Sequence, residues 1–167
     1  FRGGKELDRV VGYKSAQELL AWLGEVDKGQ TTATRLAARL KAPREGDGAL
    51  TVHERMELAD QLVEAGRTKE ATDEYAWLWE NIVRVDPSMV GVRSSFLSSS
   101  IQRLASESPD AKARFSGMRD VVEERLKGPN KSWDDLSDWI VLNEVVGQED
   151  KTLEWFDRIK NDEASKP

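Results

Sequence analysis

The chain has 167 residues, a net charge of −6 and no cysteine. This length is enough for one substantial hydrophobic core. The acidic balance argues against a nucleic-acid binder, because such proteins carry a basic patch for the phosphate backbone. The lack of cysteine excludes disulfides, thiolate zinc sites and cysteine nucleophiles within this chain, and leaves the cellular compartment open. No apolar run approaches the ~20 residues that a spanning helix needs, so we expect no membrane span.

The first 26 residues are predicted to form a strand, a glycine turn and a helix. Leu7, Val10 and Val11 are typical of a short strand, which Gly12 ends. Ser15 and Glu18 have the spacing of a capping box, which opens a helix. The apolar face of this helix would hold Ala16, Leu19, Leu20, Leu23 and Val26.

This segment, residues 1–26, resembles the last part of a thioredoxin fold. The resemblance is carried by Phe1, Gly4, Lys5, Glu6, Arg9, Gly12 and Tyr13, and then by the helix through Leu20 and Leu23. It implies that the redox Cys-x-x-Cys and the cis-proline of that family lie upstream of Phe1. It also implies a strand without its sheet neighbours, so residues 1–12 would be irregular or would self-associate with another copy. An unrelated strand–turn–helix is the alternative.

Residues 27–50 are predicted to be a linker that contains one short helix. Thr31 or Thr32 would cap this helix, and residues 42–48 would form a flexible loop after it. We expect Leu36, Ala37 and Leu40 to point inward, and Arg35, Arg39 and Lys41 to point outward. The cationic side is more simply a solvated face than a site for an acidic partner.

Residues 51–86 form the clearest pattern, a helical hairpin. Thr51 and Glu54 have capping-box spacing, and Gly66 can take the left-handed conformation that ends a helix. A connection this short requires the second helix to fold back antiparallel to the first. The residues that we expect to be buried together are Leu58, Ala59, Leu62, Ala71, Tyr75 and Leu78.

This hairpin resembles a tetratricopeptide repeat (TPR). The matching residues are Leu58, Ala59, Leu62, Gly66, Glu70, Ala71, Tyr75 and the pair Asp86-Pro87. Ala59 stands where the family usually has glycine, and Asp86-Pro87 comes about one turn late, which implies a longer second helix than in the ~34-residue unit. The resemblance implies an all-α fold in which residues 51–161 stack as a short right-handed superhelix of hairpins. An ordinary hairpin of an α-bundle is the alternative.

The remaining helices are marked by their caps. Pro87 and Ser88 would start a third helix, Ser108 and Pro109 a fourth and Ser132 a fifth, while Gly147 would act as Gly66 does. Residues 162–167 would be a polar tail. The expected inward residues are Val90, Phe96, Leu97, Ile101, Leu104 and Ala105, then Ala111, Phe115, Met118 and Val122, then Leu136, Trp139, Ile140 and Asn143, and finally Leu153, Phe156 and Ile159.

No residue pattern indicates chemistry. His53, the single histidine, is interpreted as a surface or capping residue. Asp134, Asp135, Asp138 and Glu144 are the densest carboxylate group, but acidic residues are favoured near a helix start by the dipole alone. Gly3-Gly4-Lys5 is too short for a phosphate loop. We therefore predict no catalytic, cofactor-binding or metal-binding residue, and the sequence does not define a partner-binding surface.

The leading hypothesis is a non-enzymatic protein-interaction module attached C-terminally to a thioredoxin-like domain. It predicts a protein or peptide partner, with no nucleic acid and no cofactor. One alternative is a fragment of a thiol-disulfide oxidoreductase whose redox site lies upstream of this chain. Another is a structural or dimerising helical domain. Because repeat analogy carries the binding hypothesis, a site in the structure has to support it.

Overall fold

The computed structural model describes residue 8, residues 13–129 and residues 132–159. The chain divides into two compact units, Phe1–Thr51 and Val52–Pro167. The described residues are helical with no strand, which confirms the predicted all-α class. Of the strand predicted at Leu7 to Val11, only Asp8 is described, and it has no regular secondary structure; the tail at 162–167 lies outside the described residues.

The first unit contains helix α1 (Ala16–Asp27) and helix α2 (Thr32–Leu40). Ser15 closes the predicted capping box with Glu18, and Thr31 caps α2. The carboxylate of Asp8 links the two helices, because it accepts hydrogen bonds from the Trp22 indole (3.1 Å) and from the backbone nitrogen of Thr32 (2.9 Å). This carboxylate thus satisfies one of the open donors at the start of α2.

The apolar face predicted for α1 is wrong in one respect, because it is exposed. Leu20 and Leu23 are 70% and 51% exposed, and no residue of α1 is buried. Of the predicted face only Val26 is half-buried, and Trp22 and Glu25 form the rest of the half-buried side. In α2, Leu36 is buried as expected and Ala37 is exposed, contrary to expectation. The stripe was assigned correctly as apolar, but no described element of its unit covers it.

The second unit is built from a run of helices that follow the predicted caps. Ser108 accepts a hydrogen bond from the Ala111 nitrogen and Ser132 from that of Asp135, as their positions predicted. The elements are α3 (Val52–Glu64), α4 (Thr68–Val85), a 3₁₀ turn (Pro87–Met89), α5 (Val90–Val92), a π-helical segment (Arg93–Leu97), α6 (Ser98–Glu107), α7 (Pro109–Lys127), α8 (Trp133–Val145) and α9 (Glu149–Ile159).

Neighbouring helices of this unit pack as antiparallel hairpins. Helices α3 and α4 pack together across Gly66, whose φ of +69° confirms its predicted left-handed conformation. Along α7 from Arg119 to Arg125, the partners on α8 run backward from Asn143 to Asp135. Helix α6 packs on α7 and α8, and α4 packs on α7. The predicted core of the first hairpin is confirmed, since all six residues named for it are buried: Leu58, Ala59, Leu62, Ala71, Tyr75 and Leu78.

The third predicted helix is interrupted by the π-helical segment, and this changes which residues it buries. Leu97, Ile101 and Leu104 are buried as expected, whereas Val90 and Phe96 are 60% and 72% exposed. The wide π turn inserts one extra residue upstream of Leu97. The buried position about two turns before Leu97 therefore falls on Met89 rather than Val90.

The last helix also departs from the prediction. Leu153 and Phe156 were expected inward, but they are 63% and 47% exposed. Helix α9 packs mainly on α8, where its Trp155 ring lies 6.2 Å from that of Trp139. Its other side has no described helix against it, because α9 is the last helix in the described part of the chain. The side chain of Ile159 lies outside the described residues.

Candidate functional site

An open groove runs along one side of α7 in the second unit. Its volume is about 310 Å³. We call it the α7 groove. Helix α4 contributes Trp79 and Glu80, the π-helical segment contributes Arg93, and α8 contributes Asp138 and Leu142. The α7 residues that line it form one helical stripe: Arg114, Gly117, Met118, Val121, Val122 and Arg125. The groove therefore exists only because α4, α7 and α8 pack side by side.

Arg93 forms the fixed inner wall of the α7 groove. Its guanidinium lies 4.0 Å from the centre of the Trp79 ring, and its Nε donates to the Trp79 carbonyl oxygen at 2.8 Å. Both terminal nitrogens donate to the carboxylate of Asp138 on α8, in a bidentate pair. Such a fork is among the stronger polar contacts in proteins. Arg93 thus links α4 to α8, and its guanidinium is used in structural contacts.

Two other arginines mark the ends of the stripe, and each makes fewer contacts than Arg93. Arg114 lies 3.9 Å from a Glu80 oxygen, and both side chains are about half exposed. This exposed pair contributes little, because water screens both charges, so Arg114 can exchange Glu80 for another partner. Arg125 is held more firmly, since its Nε donates to Asp135 at 2.8 Å and the Asp135 side chain is only 18% exposed. Half of the Arg125 side chain is nevertheless exposed, so it can bind a second carboxylate beside Asp135.

The electrostatics of Asp135 show that Arg125 stabilises its charged form. Partial burial works to raise the pKa of this carboxyl, but hydrogen bonds from Arg125 and Ser132 outweigh it and hold the pKa below its ordinary value. Asp135 is thus ionised at neutral pH and accepts from the serine cap as well as from Arg125. Arg125 can leave it without stranding a carboxylate, because Ser132 remains its partner.

Between these arginines the stripe is apolar and open. Met118 and Val122 are buried in the core, while Val121 is 58% exposed. Gly117 lies in the middle of α7, and a Cβ built there meets no heavy atom within 4 Å. A glycine inside a helix costs about 1 kcal/mol relative to alanine, so packing against this protein does not account for it. The space beside Gly117 is part of the groove.

The second unit also contains two buried polar clusters that sequence reasoning missed. Arg55 and Glu74 form an ion pair at 3.1 Å in which both side chains are almost completely buried, and Arg55 lies over the Trp77 ring. Arg119 is buried as well and donates to Asn143 (3.0 Å) and Gln148 (2.7 Å). The helical spacing of Arg55 with Val52, Leu58 and Leu62 was the available signal, because it places this arginine on the apolar stripe.

These clusters join helices and contain no group placed for chemistry. Asn143 accepts a hydrogen bond from Arg119, and its Nδ2 donates to the Thr152 hydroxyl of α9 at 3.1 Å. These hydrogen bonds link α7, α8 and α9. In the first hairpin, Tyr75 donates to Asp60 at 2.5 Å across α3 and α4. We assign all of these to packing specificity, since buried polar groups have to be paired.

The structure separates the residues that the sequence had grouped. His53 is exposed, as expected of a surface residue. Asp138 pairs with Arg93 and Asp135 with Arg125, while Asp134 and Glu144 are exposed, so the four carboxylates do not share one site. Among the described residues there is no group of three or more metal-ligating side chains.

The tryptophans divide in the same way. Trp79 is buried and Trp77 lies under Arg55, so the two occupy different faces of α4. Trp139 is buried, whereas Trp133 is 64% exposed.

Comparison with protein-family models, curated proteins and solved structures finds no match for this chain. Within the part of the chain that the structure describes, no helix is long and apolar enough to cross a membrane.

Proposed function

We propose that the second unit is a non-enzymatic protein-interaction module made of TPR-like antiparallel hairpins stacked in a right-handed superhelix. The observation that carries this proposal is the α7 groove, which combines an apolar floor with half-exposed arginines. Stacked hairpins offer extended surfaces of this kind, which suit segments of other proteins. The left-handed turns at Gly66 and Gly147 support the repeat interpretation, because they recur at equivalent hairpin ends.

In this proposal the module lies C-terminal to a thioredoxin-like domain and presents it to a protein partner. The exposed apolar side of α1, with Leu20 and Leu23, supports that arrangement. An apolar helix face is stable when another layer covers it, and the sheet of the upstream domain would supply the layer. The cysteine-free chain itself then has no redox role.

The module is tested by selecting random peptides on the immobilised 167-residue chain and titrating the selected sequences by calorimetry. We expect saturable binding with one peptide per chain. A library that yields no saturable binder would contradict the proposal. Sedimentation of the same sample distinguishes the dimerising-domain alternative, to which the exposed Leu153 and Phe156 point. A monomer at all concentrations would leave the interaction module as the better account.

The oxidoreductase alternative has its own test. The chain should give no turnover above buffer in an insulin-reduction assay, because it has no thiol to carry the electrons. Measurable turnover by the purified chain would refute the non-enzymatic interpretation directly.

A further inference from the structure

The α7 groove has a definite charge pattern. Arg114 and Arg125 lie eleven residues apart on α7, which at 1.5 Å per residue places them about 16 Å apart along the helix. An extended peptide covers that distance in about five residues. Between the arginines lie Gly117, Met118 and Val121, so the stripe alternates from cationic to apolar to cationic.

This pattern stands out against the charge of the whole molecule. The chain carries −6, yet the groove lining contains three arginines against the two carboxylates of Glu80 and Asp138. A third carboxylate, Asp135, pairs with Arg125 from outside the lining. Asp138 is occupied by Arg93. Glu80 approaches Arg114 only to 3.9 Å, beyond the 2.7–2.9 Å of a charged hydrogen bond. A ligand carboxylate can therefore displace Glu80, which is half exposed and returns to water at little cost.

We propose that the α7 groove binds an extended acidic peptide segment, with one carboxylate at Arg114, another at Arg125 and an apolar side chain between them over Val121. This inference rests on the interaction module proposed above and names the chemistry of its partner. Gly117 has a part in it, because the absence of a side chain there leaves room for the peptide backbone. A basic or uncharged segment would leave both arginines without a ligand carboxylate and would bind more weakly.

The test uses the full chain and a fluorescein-labelled peptide with two glutamates four positions apart and a leucine midway, so that all three side chains lie on one face of the extended peptide. Fluorescence anisotropy should give saturable binding that weakens as salt rises. A peptide with lysine in place of both glutamates should bind at least tenfold more weakly, and so should one with serine in place of leucine. Equal binding of the glutamate and lysine peptides would overturn the proposal.

Protein variants then locate the site. Arg114→Glu and Arg125→Glu should each weaken binding of the acidic peptide at least tenfold. Lys112→Glu is the matched control, since it makes the same charge change on an exposed residue of α7 that does not line the groove. An equal effect of all three substitutions would mean that net charge alone attracts the peptide, and the proposed site would be wrong.

Gly117→Gln separates occlusion of the groove from damage to the fold. Its added atoms enter open space and glutamine favours the helix, so the melting temperature should stay equal or rise. Binding should nevertheless fall at least tenfold. If library-selected peptides bind but are insensitive to Gly117→Gln and Arg114→Glu, the module stands and this site falls. If no peptide of either kind binds, both proposals fall.

Discussion

The hairpin of α3 and α4 and the hairpin of α8 and α9 have the same type of turn but different surroundings. At the first turn, the Gly66 nitrogen donates to the Val63 oxygen (2.9 Å) and the Arg67 nitrogen to the Leu62 oxygen (2.8 Å). At the last turn, Gly147 donates to Glu144 (3.0 Å) and Gln148 to Asn143 (2.8 Å) in the same pattern. Both glycines have φ close to +70°. Local sequence thus specifies an identical helix end twice.

The second helices of these hairpins differ in how much of their surface is buried. When the glycines are superimposed in sequence, Tyr75 corresponds to Phe156. Tyr75 is buried because α4 also packs on α6, α7 and the π-helical segment, whereas Phe156 is about half exposed because α9 packs mainly on α8. Neighbouring helices therefore decide burial, while the turn is decided locally.

The same superposition shows a second difference. Arg55 and Glu74 of the first hairpin correspond to Leu136 and Trp155 of the last. One hairpin therefore holds a buried ion pair at positions where the other has apolar residues. A buried ion pair often contributes less than an apolar pair of similar volume, because both charges lose their hydration. The first hairpin should therefore be sensitive to the loss of one partner and tolerant of the loss of both.

Removal of a single partner should give the largest effect. In Glu74→Ala the Arg55 guanidinium loses its buried counter-charge, so we expect the free energy of unfolding to fall by about 3–5 kcal/mol. Urea denaturation followed by circular dichroism measures this. The double variant Arg55→Leu with Glu74→Leu should recover most of the loss, because it leaves no unpaired buried charge and places apolar residues at both positions, as in the last hairpin. If the double variant is no more stable than the single one, the comparison between the two hairpins is wrong.

Overpacking should give the next largest effect. Ala71 of α4 is completely buried, so Ala71→Trp should destabilise the chain by about 1–3 kcal/mol or more. Leu153→Trp is the counterpart on the open side of α9 and should change stability by less than about 0.5 kcal/mol. Thermal melting of both variants checks this. Equal melting temperatures would mean that the two helices are equally covered.

The accuracy of the sequence interpretation follows the same division between local and tertiary causes. Caps at Ser15, Ser108 and Ser132 and the turn at Gly66 were predictable, because each depends on a few neighbouring residues. The exposure of Val90 was not, since nothing in the periodicity reveals where a π turn inserts its extra residue.

The candidate site was harder to predict. Its arginines are ordinary surface residues of α7 in the sequence, and they become a groove only when α4 and α8 pack beside that helix. The loose pairing of Arg114 is likewise a matter of distance to another helix. Only Gly117 carried a local signal, as an unexplained glycine within a strongly predicted helix.

The two turn glycines allow a sharper test of their equivalence. Gly66→Ala and Gly147→Ala both place a side chain in the left-handed region, which costs about 1–2 kcal/mol. A built Cβ meets nothing within 4 Å at Gly66 and only the flexible end of Lys112 at Gly147, so strain rather than collision sets the cost. We expect nearly equal losses in chemical denaturation. If the two losses of stability differ by more than about 1 kcal/mol, the neighbouring helices also influence the turn.

The smallest expected effect at neutral pH concerns the hydroxyl that distinguishes Tyr75 from Phe156. Tyr75→Phe removes the hydrogen bond to Asp60, whose carboxylate can return to water, so the loss should be about 0.5–1.5 kcal/mol. Burial, and then the hydrogen bond to Asp60, raise the pKa of the Tyr75 hydroxyl well above its ordinary value.

This raised pKa gives the substitution a signature at alkaline pH. Below about pH 10 the tyrosine is neutral in both folded and unfolded chains, so its contribution to stability is fully present. Above pH 10 the unfolded chain releases the proton while folded Tyr75 retains it, so stability falls by up to about 1.4 kcal/mol for each pH unit. Tyr75→Phe lacks this term, so its stability should approach that of the parent chain between pH 10 and 11. Subtracting the two urea-denaturation series cancels the contribution of every other group, because the two proteins differ only at residue 75. A constant difference across that range would mean that Tyr75 ionises as readily in the folded hairpin as in the unfolded chain, and that the first hairpin is no better covered than the last.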